Sequence, residues 1–470
     1  MFGIQIDKSD PASIVQQLTA QIRHQILEGQ LKNGEKLPPS RDLSKDLHIA
    51  RNSVVQVYEQ LLSEGYLVSR VGSGTFVAEL QNVQLDQPVM PARQNQQENR
   101  AQLIARRPDM IRFHAGNPDS AAFPRTKWAT LLKETCLDAA ANMFEYAPAV
   151  GIWQLRYFLS RYLFRAKGIL CTPDQILIIP GAARGIDLLS EVFRRKVSTV
   201  AVEDPSIDFV KTIFIRHGFS VYPVPTDQSG METSKLPFDP PSLLIYTVPS
   251  HQFPIGAVLP VNRRLHLLEY AHQHDAYIIE DDYDSEFRYQ GGPIQSLRHL
   301  DPERVIYLGS FSKIFSPGLN LGYMIVPLHL LDKTTLLMEQ LNMRASTVEQ
   351  LTLARFIEDK LLDRHVFKMK KIYEKKRAHL IQSLQLAFGD KVLIYGENAG
   401  LHILVSFTDH EFSPSDFKAF VENGVEADWV EDYACLKGVH KNQLVLGYGN
   451  LTMEQITEGI RRIREALRQA

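Results

Sequence analysis

Residues 277–287 read YIIEDDYDSEF, and residues 305–313 read VIYLGSFSK. Each is a short apolar, β-prone run that ends in polar or charged side chains. A run of this length without polar alternation is the pattern of a strand buried on both faces. The pattern repeats on either side. ILIIP (176–180) precedes a helical stretch at about 182–195, and TVAVEDP (199–205) precedes one at 206–217. LLIYTVP (243–249) and AYIIEDDY (276–283) bracket a third at 261–274, and LGYMIVP (321–327) closes the series. Strands alternating with helices predict an α/β domain on a mostly parallel sheet. Ligands of such sheets bind at the carboxyl ends of strands, where the acidic cluster and Lys313 fall. From about 350 to 470, long helices, the short strands LHILVSF and QLVLGY and a terminal helix predict a smaller α+β lobe.

The whole chain of 470 residues is long enough for about three domains or lobes. It carries 52 Lys+Arg against 54 Asp+Glu, a net charge of −2, which excludes binding of nucleic acid by bulk charge alone. Three cysteines, Cys136, Cys171 and Cys435, are too few and too scattered for a disulfide framework, and no metal site is expected. The N-terminus MFGIQIDKSD has no secretory pattern, and no run approaches 18 apolar residues, so a cytoplasmic protein without a membrane segment is expected.

Residues 81–100 read QNVQLDQPVMPARQNQQENR, with six Gln, three Asn and little that could enter a core. We read 79–108 as a flexible linker between a domain at 1–78 and one at 109–470. In the first, residues 13–28 place Ile14, Leu18, Ile22 and Ile26 on one helical stripe. The prolines of LPPSRDL break the chain, and Ser40 is placed to cap a short helix. Residues 52–64 carry Val54, Val57, Tyr58, Leu61 and Leu62 at helical spacing, and Gly65 stops them. Two β-prone runs then flank Gly72-Ser73-Gly74, the signature of a hairpin. Three helices and a hairpin form the order of a winged helix-turn-helix.

In a helix-turn-helix the second helix of the pair enters the major groove with its N-terminal side chains. Arg51, Asn52, Ser53 and Gln56 occupy that place, and Arg and Asn/Gln suit bidentate contact with guanine and adenine edges. Ser40 and Arg41 are candidates for phosphate contacts, and Gly72 and Ser73 for bringing the wing to the minor groove. Residues 1–78 hold eight Lys+Arg and eight Asp+Glu, so a specific face, not net charge, must carry the binding. The segment LPPSRDLSKDLHIARNSVVQVYEQLLSEGYLVSRVGSGTFV resembles the GntR-type winged helix of bacterial transcription regulators. The resemblance covers nearly all of residues 11–78. It implies a double-stranded DNA operator, read as two half-sites by a dimer.

In the α/β domain, a lysine and a carboxylate at neighbouring strand ends make chemical sense together. Lys313 can form a Schiff base with pyridoxal 5′-phosphate (PLP), and Asp281 can hold the pyridine nitrogen protonated. Tyr283 can hydrogen-bond the ring's 3′-oxygen. Ser310, Ser312 and the free N–H groups after Gly181-Ala182-Ala183 can hold the phosphate. His251, in the PSHQFP turn, serves the cofactor or merely shapes that turn.

FHAGNPDSAAFPRTKW, YAPAVGIWQLR, PSHQFPIG, IIEDDYDSEFRY and YLGSFSKIFSPGLNLGY stand in the order used by fold-type-I aminotransferases, which residues 109–470 resemble. With the N-terminal domain, the chain resembles the MocR/GabR subfamily of bacterial regulators. That resemblance implies a homodimer, usually head-to-tail. It gives Tyr146 two readings, a contact to the PLP phosphate across the dimer or a core tyrosine.

Two departures bear on function. The resemblance places an arginine for the phosphate where Asn320 stands, and one for a substrate carboxylate where Val445 stands. Arg184 either replaces the first charge or is a surface residue. For the second, Lys437, His440, Lys441 and His251 are weak candidates. A hydrogen bond to a charged group contributes about 1.5–3 kcal/mol, so each loss costs about 10–100-fold in affinity. The expectation is a PLP-dependent transcription regulator that senses PLP, an amine or an amino acid. A catalytically active aminotransferase with a DNA-binding head is the alternative.

Overall fold

The computed structural model describes residues 3–7, 9–79, 109–138, 140, 145–194, 196, 198–241 and 243–469, so most of the expected linker lies outside the described residues. The chain divides into two compact units, Met1–Ala105 and Arg106–Ala470.

Helix α1 (Ile14–Leu27) starts at Ser13, whose side chain accepts from the Gln16 N–H while the Gln16 side chain returns a bond to the Ser13 backbone. Helices α2 (Ser40–Asp46) and α3 (Arg51–Ser63) follow. Ser40 is not the cap: Pro39 takes that position without a side-chain bond. The Ser40 hydroxyl accepts from Arg51 Nε at 3.4 Å instead, tying the first residues of α2 and α3 together. Leu18, Ile22, Leu43, Val54, Val57 and Leu61 form the buried core of this unit. Tyr58 donates to the Pro38 carbonyl at 2.8 Å and pins the proline turn to α3. Strands β1 (Leu67–Arg70) and β2 (Gly74–Val77) make the antiparallel wing.

The second unit begins with β3 (Ile111–Arg112), then builds an eight-stranded sheet from β4 (Ile176–Ile179), β5 (Thr199–Asp204), β6 (Ser220–Asp227), β7 (Gly230–Met231), β8 (Leu244–Thr247), β9 (Tyr277–Asp282), β10 (Val305–Ser310) and β11 (Gly322–Ile325). Their order is β4-β11-β10-β9-β8-β5-β6-β7. The strands from β10 to β6 pair in parallel, whereas β11 runs antiparallel to both β10 and β4. Strand β6 was not expected from its sequence. SVYPVPTD carries two prolines, which a strand tolerates near a sheet edge, and β6 is followed only by the short β7.

Helix Leu361–Phe388 leads into the smaller lobe, a sheet of β12 (Val392–Tyr395), β13 (His402–Phe407), β15 (Asp428–Trp429) and β16 (Gln443–Gly447) in the order β12-β13-β16-β15, with β14 (Val425–Glu426) beside it in sequence. Strand β14 pairs in parallel with β3. The first described segment of the second unit is thus stitched into the lobe formed by its last residues. The Phe113 N–H donates to Glu426 O at 2.9 Å, and the Gly447 N–H to Phe113 O at 2.8 Å. Among the described residues, no helix is long and apolar enough to cross a membrane.

Candidate functional site

Strand β9 is buried from Ile278 onward, so it delivers Asp281 to the sheet's carboxyl edge with 3% of its surface exposed. Its Oδ2 accepts from the Tyr246 hydroxyl, on β8, at 2.5 Å. Its Oδ1 is buried with no partner. Burial pushes this carboxyl up to about 7. A buried carboxylate oxygen left open is where a protonated ring nitrogen fits, and its charge would return the Asp281 carboxyl to the ionised form.

Lys313 follows β10 and is partly buried. Burial lowers the pKa of its amine, while Asp284 and Asp281 oppose that shift. The lowered value favours the neutral amine, the nucleophilic form. Gly116, at φ +75°, lies against it: a Cβ there would come within 3.0 Å of Nζ. Ser310 Oγ accepts from the Ser312 N–H at 3.1 Å.

Gly181, at φ 80°, precedes the helix Ala182–Phe193, whose opening N–H groups include those of Ala182 and Ala183 and have no partner within the helix. A Cβ on Gly181 would lie 2.7 Å from Asn320 Oδ1. Asn320 is itself left-handed at φ 48°, a conformation that asparagine tolerates. The structure therefore brings Asn320 to the helix N-terminus, as a neutral amide. Arg184 is exposed and pairs with Asp187 at 3.1 Å, one turn along its own helix.

Tyr283 is buried and donates to the His251 carbonyl at 3.0 Å. His251 Nδ1 lies 3.1 Å from Asp284, and its ring sits 4.7 Å from that of His402. His251 Nε2 and both His402 nitrogens are buried without partners. Burial, reinforced by His251, holds His402 well below the ordinary histidine range, so it is neutral. Tyr146 is 88% exposed, which removes its core reading, and the Arg344 guanidinium stands 5.7 Å over its ring.

Val445 on β16 is fully buried, opposite Leu404 and Asp428 on the neighbouring strands. None of the weak candidates replaces the missing guanidinium cleanly. Lys437 donates to Glu431 O at 2.7 Å, and His440 is engaged with Gln443 at 2.7 Å.

Sequence reasoning missed Tyr246, Gly116, Asp284 and His402. Tyr246 lies within the apolar run 243–249, so its signal is present in the sequence. The others reach the site only through tertiary packing.

In the first unit, Arg51, Asn52 and Gln56 are exposed on α3 and Ser53 is half-buried. Arg41, Gly72 and Ser73 are exposed. Ser40, Gly72 and Ser73 share the walls of one cleft of about 450 Å³ between the start of α2 and the wing.

A winged helix joined to an aminotransferase fold defines a class of DNA-binding regulators. Residues 14–77 match the model of the bacterial regulatory proteins of the gntR family, and residues 108–463 match that of aminotransferase class I and II. The chain is 34% identical to the uncharacterized HTH-type transcriptional regulator YdeL of Bacillus subtilis, over 96% of each chain. It is 33% identical to the HTH-type pyridoxine biosynthesis transcriptional regulator PdxR of Corynebacterium glutamicum, over 86% of this chain and 85% of that one. The second unit is similar to Pyrococcus horikoshii kynurenine aminotransferase, solved with PMP (TM-score 0.72, 26% identity, 79% of this chain and 94% of that one). The chain belongs to the MocR-type branch of the gntR family, in which the winged helix is fused to an aminotransferase-like domain. Pyridoxal phosphate is the cofactor of that domain class, and Asp281, Lys313 and the amides after Gly181 fit it.

Proposed function

We propose that this HTH-type regulator is a PLP sensor: it captures PLP at Lys313 and passes the occupied state to the DNA-reading helix α3. The observation that carries the reading is the pairing of an intact cofactor site with a closed carboxylate site. Asp281 presents a buried, unpartnered oxygen beside a lysine whose amine is held toward neutrality. Where a carboxylate clamp would stand, Val445 is sealed in an apolar contact.

When bound, PLP supplies an aldehyde that bonds to the lysine amine and a ring that withdraws electrons. The protein's own part is to place and hold. Asp281 keeps a proton at the ring nitrogen, and Tyr246 keeps Asp281 oriented. Tyr283 and His251 hold the ring's oxygen side. The amides after Gly181, with Ser310, Ser312 and Asn320, take the phosphate without a paired guanidinium, and Arg184 is left as a distant source of charge. Tyr146, exposed in the single chain, is placed to complete the site of a partner in a head-to-tail homodimer. A phosphate grip without a guanidinium suits a site that must empty and fill as the vitamin level changes. The similarity to a regulator of pyridoxine biosynthesis supports this choice of signal. Cytoplasmic operator DNA is the macromolecular partner, read by Arg51, Asn52, Ser53 and Gln56, with Ser40, Arg41, Gly72 and Ser73 at the backbone and wing.

Fluorescence anisotropy on a labelled operator, titrated with PLP and separately with amines and amino acids, tests the reading. A response to PLP alone is expected. A response only to one amine or amino acid would replace PLP as the signal, and sustained keto-acid production would favour the aminotransferase alternative.

A further inference from the structure

The turn that holds the cofactor has a second face. Asp281, Tyr283 and Asp284 serve the Lys313 side, whereas Asp282, Ser285, Glu286 and Arg288 line a separate cavity of about 230 Å³. Helices Trp153–Lys167 and Leu361–Phe388 supply other walls, including Lys167 and Lys370.

The carboxylates of this cavity are already matched. Lys167 Nζ lies 3.0 Å from both Asp282 and Glu286 and donates to Ser285 Oγ at 2.8 Å. Tyr307 donates to Asp282 at 2.5 Å. Burial opposes the charge on Lys167, but Asp282 and Glu286 together hold the ammonium above its ordinary value. Asp363, also on the wall, is paired with Arg165 at 2.9 Å.

Two cations remain. Arg288 Nε and Nη1 are buried and have no acceptor. Lys370 has none among the described residues. Gly291, at φ +75°, packs on the guanidinium; a Cβ there would lie 3.5 Å from Nε and Nη2. Leaving two N–H donors of a half-buried guanidinium without an acceptor is costly, and such groups in native proteins are normally answered by water or an ion. With three cations facing two carboxylates once the Asp363–Arg165 pair is set aside, the excess is positive. The volume holds a phosphate or a small carboxylate with a few waters, at about 30 Å³ per water.

We propose that this cavity binds a small oxyanion through Arg288 and Lys370, on the reverse side of the cofactor turn. The site is separate from the one around Lys313 and does not depend on PLP being the signal.

The test is calorimetric titration of inorganic phosphate, with acetate and succinate as further arms, into the full-length protein held in saturating PLP so that the cofactor's own phosphate cradle is filled. Ionic strength is matched with chloride. One oxyanion per chain is expected, with affinity falling tenfold or more in Arg288→Gln and severalfold in Lys370→Gln. Lys370 is on a helix surface, so its variant carries the test if Arg288→Gln fails to fold. Preference for phosphate or for a carboxylate then identifies the source of the oxyanion. Absence of binding in all arms, or binding unchanged in the variants, would overturn the assignment.

Discussion

Gly116 lies against the amine of Lys313, close enough that a Cβ on the glycine would reach within 3.0 Å of Nζ. These residues are nearly two hundred positions apart, and the glycine belongs to the segment that β3 stitches to the small lobe. Any group bonded to the amine must be accommodated beside this segment. Gly116→Ala adds a side chain at a left-handed position and crowds the amine. PLP affinity, followed by absorbance, is expected to fall at least tenfold with operator binding by the PLP-free protein unchanged. Wild-type PLP affinity in Gly116→Ala would refute the crowding.

Asn320→Arg places a guanidinium at the helix N-terminus where a neutral amide now stands. A charge-assisted bond contributes about 1.5–3 kcal/mol, so PLP affinity should rise about 10–100-fold. The same variant should respond to PLP at correspondingly lower concentration. An affinity no higher than wild type would mean that the Asn320 side chain does not face the phosphate.

Tyr246→Phe removes the only donor to the Asp281 carboxylate among the described residues. Leaving that buried acceptor unmade costs about 1–3 kcal/mol, so the PLP-free protein should melt lower. PLP affinity should fall too, because Asp281 loses the bond that orients it. A thermal midpoint and an affinity both equal to wild type would show that the contact is dispensable.

Burial raises Asp281, Glu203 and Glu280 each to about 7. Their folded values lie above the unfolded ones, so the folded state binds more protons between about pH 4 and 7. The stability they contribute is therefore greatest below that window and is lost as pH rises through it. PLP returns Asp281 to its charged form by offering a proton donor. The midpoint of the PLP-free protein is expected to fall from pH 5 to 7.5, and the gain on adding PLP to grow over the same range. A PLP-induced gain that shrinks with rising pH would contradict this assignment of Asp281.

Arg51→Ala and Asn52→Ala should each cost about 1–3 kcal/mol of operator affinity and relax preference at one base pair. Arg41→Ala should weaken binding evenly across sequences and reduce the salt slope by about 1. Anisotropy at several salt concentrations separates the two behaviours; equal effects on specific and random DNA for Arg51 would remove it from base reading.

Much of this site was legible because its chemistry ends continuous apolar strands. Asp281 and Lys313 could be paired from their runs alone, and Asn320 and Val445 stood out where arginines were implied. What could not be read was contact across distance. Gly116 meets Lys313, and Ile111 pairs with Val425, through tertiary packing that no local pattern encodes. Asp284 and His402 look like an ordinary turn acid and a strand histidine until burial joins them to His251. A mostly parallel sheet was legible, but not that β11 runs antiparallel within it, because a buried strand's composition does not disclose its direction.

The central claim is that the Lys313 amine connects PLP to the operator. Operator affinity measured with and without PLP, in the wild-type chain and in Lys313→Ala, addresses it directly. The expected result is a change of at least tenfold on adding PLP to the wild type and no change in the variant. Identical operator affinities in all four conditions would contradict it.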